Sequence, residues 1–118
     1  MSDAITHMQR ISVELQELTA GYERVALDAA TAEANYRERK AKRMLTAIVA
    51  GRASAARAEI IANADDDVAA ACLDYKTSEA VARAHHQRMM TLRVEFEGWR
   101  AQLQRETTAD RIHSQVAP

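Results

Sequence analysis

The sequence predicts an all-α fold: a long helical hairpin with coiled-coil packing and a short helix at its turn, assembled into oligomers. Three observations predict it. Apolar residues recur every 3.5 positions along two long stretches, alanine is abundant, and the 118 residues include only three Gly and one Pro. Alanine loses no side-chain entropy in a helix, and few residues are present that would interrupt one. A chain of this length is expected to form one domain.

The first helix is expected at about 3–50, with Ser2 or Asp3 as its N-cap and Gly51 just past its end. Gly21 lies inside it and is expected to weaken or bend it. Its apolar positions alternate three and four apart, which is typical of a left-handed coiled-coil seam. These positions are Met8, Ile11, Leu15, Leu18, Tyr22, Val25, Ala29, Ala32 and Tyr36.

A second apolar stripe follows another face of the same helix. It consists of Ala26, Ala30, Ala34, Ala41, Leu45 and Ile48. A helix with two apolar faces needs two partners. We expect the last helix to cover one face and a neighbouring subunit to cover the other.

A short helix at 54–62 and a long one at 65–107 are expected to follow, the first capped by Ser54. The run Asp65, Asp66 and Asp67 suits the positive end of a helix dipole. It lacks the ligand spacing of a calcium loop, so we interpret it as helix capping and predict no metal site. The polar residues 108–118 are expected to form a frayed tail.

The last helix carries a matching 3.5-residue period over five heptads. Its positions are Val68, Ala71, Tyr75, Ser78, Ala82, His85, Met89, Leu92, Phe96, Trp99 and Leu103. His85 is interpreted as a polar seam residue that fixes register or oligomer number. The adjacent His86 points about 100° away, so the two cannot chelate one metal. The oligomer seam is predicted at Leu15, Leu18, Tyr22, Val25, Met89, Leu92, Phe96 and Trp99.

Several classes of protein are disfavoured by the composition. A single cysteine, Cys72, fits a reducing compartment, and no stretch approaches the roughly 20 apolar residues of a membrane span. The first residues lack a secretion signal pattern. Motifs for a nucleophilic serine, a phosphate-binding glycine loop or a zinc protease are missing. We therefore expect a cytoplasmic, non-enzymatic protein without a cofactor.

The net charge of −1 conceals one basic stretch, residues 36–52, which carries six cations and one carboxylate. Tyr36, Arg39, Lys40 and Arg43 are spaced to lie on one helical face. Cations that track phosphates beside a ring that stacks on a base are typical of single-stranded nucleic-acid binding. The alternative is a solvated helix face with a core tyrosine at its edge. The candidate residues are Tyr36, Arg37, Arg39, Lys40, Lys42, Arg43 and Arg52.

In this layout the chain resembles the UvsY-type recombination mediators of tailed phages. The shared plan is a long helix ending in a Lys/Arg cluster, a Gly-Arg turn, a short helix and an acidic start to the last helix. Here the matching segments are YRERKAKRML, AGR and ANADDDVAAACLDY, with a later GWR where the family carries further basic residues. The likeness covers roughly residues 30–105.

The resemblance implies a non-enzymatic protein that forms ring-like homo-oligomers and binds single-stranded DNA. Such mediators help a RecA-type recombinase replace the single-strand binding protein. The family's DNA-contacting cations correspond to Lys40, Lys42 and Arg43, with Arg39 and Arg52 as neighbours. The other function kept open is a helical scaffold or assembly chaperone that binds no nucleic acid. Salt-sensitive DNA binding discriminates between them.

Overall fold

The computed structural model describes residues 3–116. Of Val116 it describes only the backbone. The described residues form three α-helices and no strand: α1 (Asp3–Val49), α2 (Ala55–Ala64) and α3 (Asp66–Val116). The predicted all-α fold is confirmed. No helix within residues 3–116 combines the length and the apolar character needed to cross a membrane. Ser2, proposed as a cap, and residues 117–118 of the expected tail lie outside the described residues.

The expected end of the last helix near residue 107 was wrong, because α3 continues to Val116. Between Gly98 and Pro118 the sequence holds neither glycine nor proline. Polar side chains do not by themselves end a helix. Thr107 Oγ1 donates a 2.9 Å hydrogen bond to the carbonyl oxygen of Leu103 within α3. Gly21 likewise leaves α1 unbroken.

The chain reverses between α1 and α2 at Gly51 and Arg52. Gly51 is required by close approach, because a Cβ there would lie 2.8 Å from the carbonyl oxygen of Ala47. The amides of Gly51 and Ala53 both donate to that oxygen, at 3.0 and 3.1 Å. The left-handed residue of the turn is Arg52, with φ 52°. A side chain in this region costs on the order of 1 kcal/mol.

The described residues divide into two compact units. The first contains residues up to Tyr22 and those from His85 onward, and the second is Glu23–Ala84. In the first unit α1 packs antiparallel to α3, with Ile11 and Leu92 each 1% exposed. His7 stacks on Trp99, ring centroids 4.1 Å apart and planes 10° from parallel.

His85 occupies the seam of the first unit, as expected. Its Nε2 lies 2.6 Å from the carbonyl oxygen of Leu18, so the ring N–H donates across the helix pair. Arg88 binds both carboxylate oxygens of Glu14, at 2.9 and 3.2 Å. These two directional contacts favour this longitudinal alignment of the helices over one shifted by a heptad, which apolar packing alone would tolerate.

The second unit is built around small side chains. Its fully or nearly buried residues are Ala47, Ala58, Ala62, Val68 and Ala71. Short side chains let helices approach closely but remove little apolar area from water, and stability scales with that area. Ser54 caps α2 by accepting the amide of Arg57 at 3.2 Å. This unit therefore depends on polar contacts more than the first does.

The predicted seam positions are all buried or half-buried within one chain, and they include every residue assigned to the oligomer seam. Their contacts here join α1 to α3, and a role between subunits stays a prediction.

The second apolar stripe of α1 is mostly exposed. Apart from Ala26, its members are exposed, including Leu45 at 61% and Ile48 at 40%. This apolar face of α1 has no cover within the described residues.

The core assignment predicts opposite effects for two neighbouring residues of α3. Leu92→Ala should lower the free energy of unfolding by about 2–5 kcal/mol, because it leaves a cavity where the side chain is 1% exposed. Val94→Ala should change it little, since Val94 is 71% exposed and Ala favours helix. Urea unfolding followed by circular dichroism measures both. Equal losses would contradict the packing of α3.

Candidate nucleic-acid interface

The face of α1 that forms the seam continues past Tyr36 as ion pairs. Lys40 Nζ lies 3.2 Å from Glu59 Oε1 of α2, and Arg43 Nε lies 3.2 Å from Asp65 Oδ2. The seam spacing continues past Tyr36 to Arg39 and Arg43, and of these Arg43 points toward the rest of the unit whereas Arg39 is exposed. Lys40, one residue past Arg39, takes the half-buried place beside the seam. Their side chains are 24% and 38% exposed. Lys40 and Arg43 thus hold α1 to the chain that follows the turn.

Asp65 is the single residue between α2 and α3, and it serves both helices. Its amide donates to the carbonyl of Ala62 at 3.1 Å. Its Oδ1 accepts from the amides of Asp67 and Val68, at 3.0 and 3.2 Å. The Val68 amide first, and then the amide of Asp67 and the guanidinium of Arg43, hold the pKa of this carboxyl below its usual value. The interpretation of the acidic run as a cap is confirmed at Asp65.

Lys40 is held in its charged form. The carboxylate of Glu59 is the main cause of a raised pKa for Lys40, and Tyr36 adds to it. The Nζ atom lies 6.0 Å from the centroid of the Tyr36 ring. Lys40 therefore presents a positive charge between a carboxylate and an aromatic ring.

The three other candidate cations of α1 face solvent. Arg37 pairs with Glu33 at 2.9 Å and Lys42 with Glu38 at 2.8 Å, and the two cations are 72% and 75% exposed. Lys42 lowers the pKa of Glu38. Arg39 donates to the neutral amide oxygen of Asn35 at 3.1 Å. Exposed pairs of this kind contribute little to stability, so the cations can exchange partners easily.

A shallow cationic groove of about 250 Å³ lies along this side of α1, here called the basic groove. Arg39, Lys42, Arg43 and Thr46 form its α1 wall, and Asp65, Asp67 and Val68 its other wall. Asp65 is engaged by Arg43 and by the first turn of α3. The charges that remain at the groove are the cations Arg39 and Lys42 and the exposed carboxylate of Asp67.

The basic character of residues 36–52 is balanced within the second unit. Residues 23–84 hold ten Lys and Arg and ten Asp and Glu, so the unit has no net charge. Glu59 and Asp65 neutralise Lys40 and Arg43 directly. The local excess of positive charge in the sequence is therefore partly neutralised, and Arg37, Arg39, Lys42 and Arg52 remain accessible to solvent.

Tyr36 does not share the basic groove. Its ring stacks on that of Tyr75, with centroids 5.8 Å apart and planes 16° from parallel. The Tyr75 hydroxyl donates to Glu79 Oε2 at 2.8 Å, which raises the pKa of Tyr75. Lys76 Nζ lies 4.8 Å from the Tyr75 centroid. Tyr75 and Lys76 were missed as candidates, although Tyr36 and Tyr75 both occupy seam positions of helices predicted to pair.

The candidate set thus separates into groups with different surroundings. Lys40 and Arg43 close the turn, Tyr36 stacks in the seam, Arg37, Arg39 and Lys42 face solvent, and Arg52 lies exposed in the turn itself. Among residues 3–116 no three His, Cys, Asp or Glu side chains come together as a metal site would need. Comparison with protein-family models, curated proteins and solved structures finds no match.

The double role of Asp65 predicts a graded response to substitution. Asp65→Ala removes the cap and the partner of Arg43, and should lower Tm on the order of 5 °C. Asp65→Asn keeps an amide oxygen that can cap α3, so its decrease in Tm should be smaller. Differential scanning calorimetry at pH 7 measures both, with the exposed Asp67→Asn as the control.

The same carboxyl predicts an acid sensitivity. Because the pKa of Asp65 is lowered in the folded state, its contribution is present above the ordinary aspartate pKa and is lost as pH falls below about 4. Asp65→Asn should therefore lose less stability than the wild type between pH 5 and pH 3. Parallel acid-dependence curves for the two proteins would contradict this.

Proposed function

We propose that this chain is a non-enzymatic mediator that binds single-stranded DNA through the turn end of its second unit and acts as a homo-oligomer. The observation that carries the proposal is the basic groove, in which Arg39 and Lys42 remain open to solvent beside the anchored Arg43. Phosphate oxygens would replace Glu38 and Asn35 as partners of these two cations. Release of counterions from the strand would supply the free energy.

The cellular role proposed is that of the UvsY-type mediators, which the motifs of residues 30–105 resemble. In that role the chain would hold single-stranded DNA while a RecA-type recombinase displaces the single-strand binding protein. Weak individual contacts suit such a role, because the strand must afterwards be released. Repetition of the groove around an oligomer would raise the overall affinity without new contacts.

The DNA-binding proposal predicts that Arg39→Gln with Lys42→Gln weakens binding to single-stranded DNA. Each lost phosphate contact should reduce the log–log salt slope by about 0.7, and hence by about 1.4 for the pair. Gln keeps the length of the side chain and favours helix. Fluorescence anisotropy of a labelled oligonucleotide over a series of salt concentrations measures both affinity and slope.

A matched control is available in the first unit. Arg93 contacts the neutral Met90 sulfur and Arg100 pairs with Glu97, which parallels Arg39 with Asn35 and Lys42 with Glu38. Arg93→Gln with Arg100→Gln removes the same charge and should leave the slope unchanged. Equal loss in both double variants would mean that binding follows net charge and that the basic groove is not the site.

A second candidate, a helical scaffold or assembly protein, is favoured by one observation: the uncovered stripe on α1. Oligomer formation is common to both functions, so DNA binding is what separates them. A protein that assembles but shows no single-stranded DNA binding at low salt would establish the scaffold function instead.

The oligomer itself is tested at Leu45. Leu45→Glu places a carboxylate on the exposed stripe, and burial of an unpaired charge in an interface is strongly unfavourable. The substitution should reduce the mass measured by sedimentation velocity while helicity persists. Thr107→Glu adds the same charge at an exposed position of α3 and serves as the control. A wild type that sediments as a 13.1 kDa monomer would exclude the oligomer.

A further inference from the structure

The second unit has another groove, on the side where Tyr36 lies. Its lining is more apolar than that of the basic groove. It encloses about 420 Å³, within the roughly 300–1,000 Å³ typical of small-ligand sites. Tyr36 of α1, Asn63 of α2 and the α3 residues Ala69, Cys72, Leu73 and Lys76 line it. We call it the aromatic groove. All three helices contribute to it.

The aromatic ring at this groove is held in a fixed orientation. Tyr36 is half-buried and stacks on Tyr75, and the hydroxyl of Tyr75 is bound to Glu79. Glu79 is in turn bound by Arg83 at 3.2 Å. A ring that is already immobilised loses little conformational entropy when a ligand packs against it.

Positive charge flanks the aromatic pair on two sides. Lys40 Nζ lies 6.0 Å from the Tyr36 centroid and Lys76 Nζ lies 4.8 Å from the Tyr75 centroid. The carboxylates near the aromatic pair are engaged by other residues. Glu59 is bound by Lys40, Glu79 by Tyr75 and Arg83, and Glu33 by Arg37. Lys76 makes no ion pair within the described residues, although, after the hydrogen bond from Tyr75, its charge helps to lower the pKa of Glu79.

The remaining lining suits a flat, mainly apolar ring with a polar edge. Leu73 is 68% exposed and adds apolar surface to the lining. Asn63 is exposed and offers an amide that can both donate and accept hydrogen bonds. Apolar walls, an aromatic ring, one amide and adjacent ammonium groups are together the chemistry that recognises a nucleotide in a single strand.

We propose that the aromatic groove receives one base of the single strand, with Lys76 at the adjoining phosphate, an inference that rests on the DNA binding proposed above. Tyr36 supplies the aromatic contact and Asn63 the polar contact to the base edge. Stacking tolerates any base, because every base has a π-face. The aromatic groove would then bind bases and the basic groove would bind phosphates.

The first test compares oligothymidine with an abasic oligonucleotide of the same length, which retains the phosphates and sugars but lacks bases. Stacking contributes enough per base that oligothymidine should bind about 5- to 100-fold more tightly. Tyr36→Leu keeps an apolar side chain in the seam and should remove most of this difference. Tyr22→Leu, at a half-buried seam tyrosine of the first unit, should preserve it.

Cys72 permits a second test that needs no substitution. It is the only cysteine, is half-buried and lines the aromatic groove. Alkylation by the neutral reagent iodoacetamide should slow severalfold in the presence of oligothymidine and much less with the abasic strand. A Cys72→Ala, Val94→Cys variant carries its thiol on an exposed position of the first unit and should show no protection.

The outcomes separate the two proposals. If neither oligonucleotide binds at low salt, the DNA-binding function fails and the aromatic groove fails with it. If both bind with equal affinity and Cys72 is alkylated at the same rate throughout, the function stands and the base-binding inference is overturned. A Cys72 that resists alkylation as fully in the free protein as in the complex would mean that the groove is closed, which also overturns it.

Discussion

The pairing of one face of α1 with one face of α3 is the contact on which the other features depend. Its 3.5-residue period brings large apolar residues together in the first unit, where Ile11 and Leu92 are buried. In the second unit the same face carries alanines and Tyr36, and then Arg43 with Lys40 beside it. The apolar seam therefore ends in ion pairs, which at the turn accompany the packing of the buried alanines.

Much of this architecture could be predicted from periodicity, because a seam needs only the spacing of apolar residues. The partners of the basic cluster could not. Glu59 and Asp65 are distant from Lys40 and Arg43 in sequence. Helical spacing places the basic residues on one face of α1, but it does not predict which residues that face contacts. That face meets α2 and the start of α3 for Lys40 and Arg43, and solvent where Arg39 lies.

The alanine content explains why the two faces of α1 have such different fates. Alanine on the seam side allows α2 and α3 to approach closely, so Ala47, Ala58 and Ala62 are buried. Alanine on the opposite side, at positions 30, 34 and 41, is exposed, because neither α2 nor α3 covers it within residues 3–116. Alanine therefore packs against other helices on one side of α1 and is exposed on the other. The sequence pattern alone could not tell these two sides apart.

The ion pairs at the turn have a consequence for any polyanion that approaches this end of the molecule. Lys40 and Arg43 bind carboxylates of this chain, Glu59 and Asp65. A bound polyanion would compete with those carboxylates for the same two cations. A ligand that recruits these cations would therefore work against the closure of the turn. A ligand confined to Arg39 and Lys42 would leave that closure intact. The stability of the turn at Asp65 is therefore linked thermodynamically to which cations contact the bound strand.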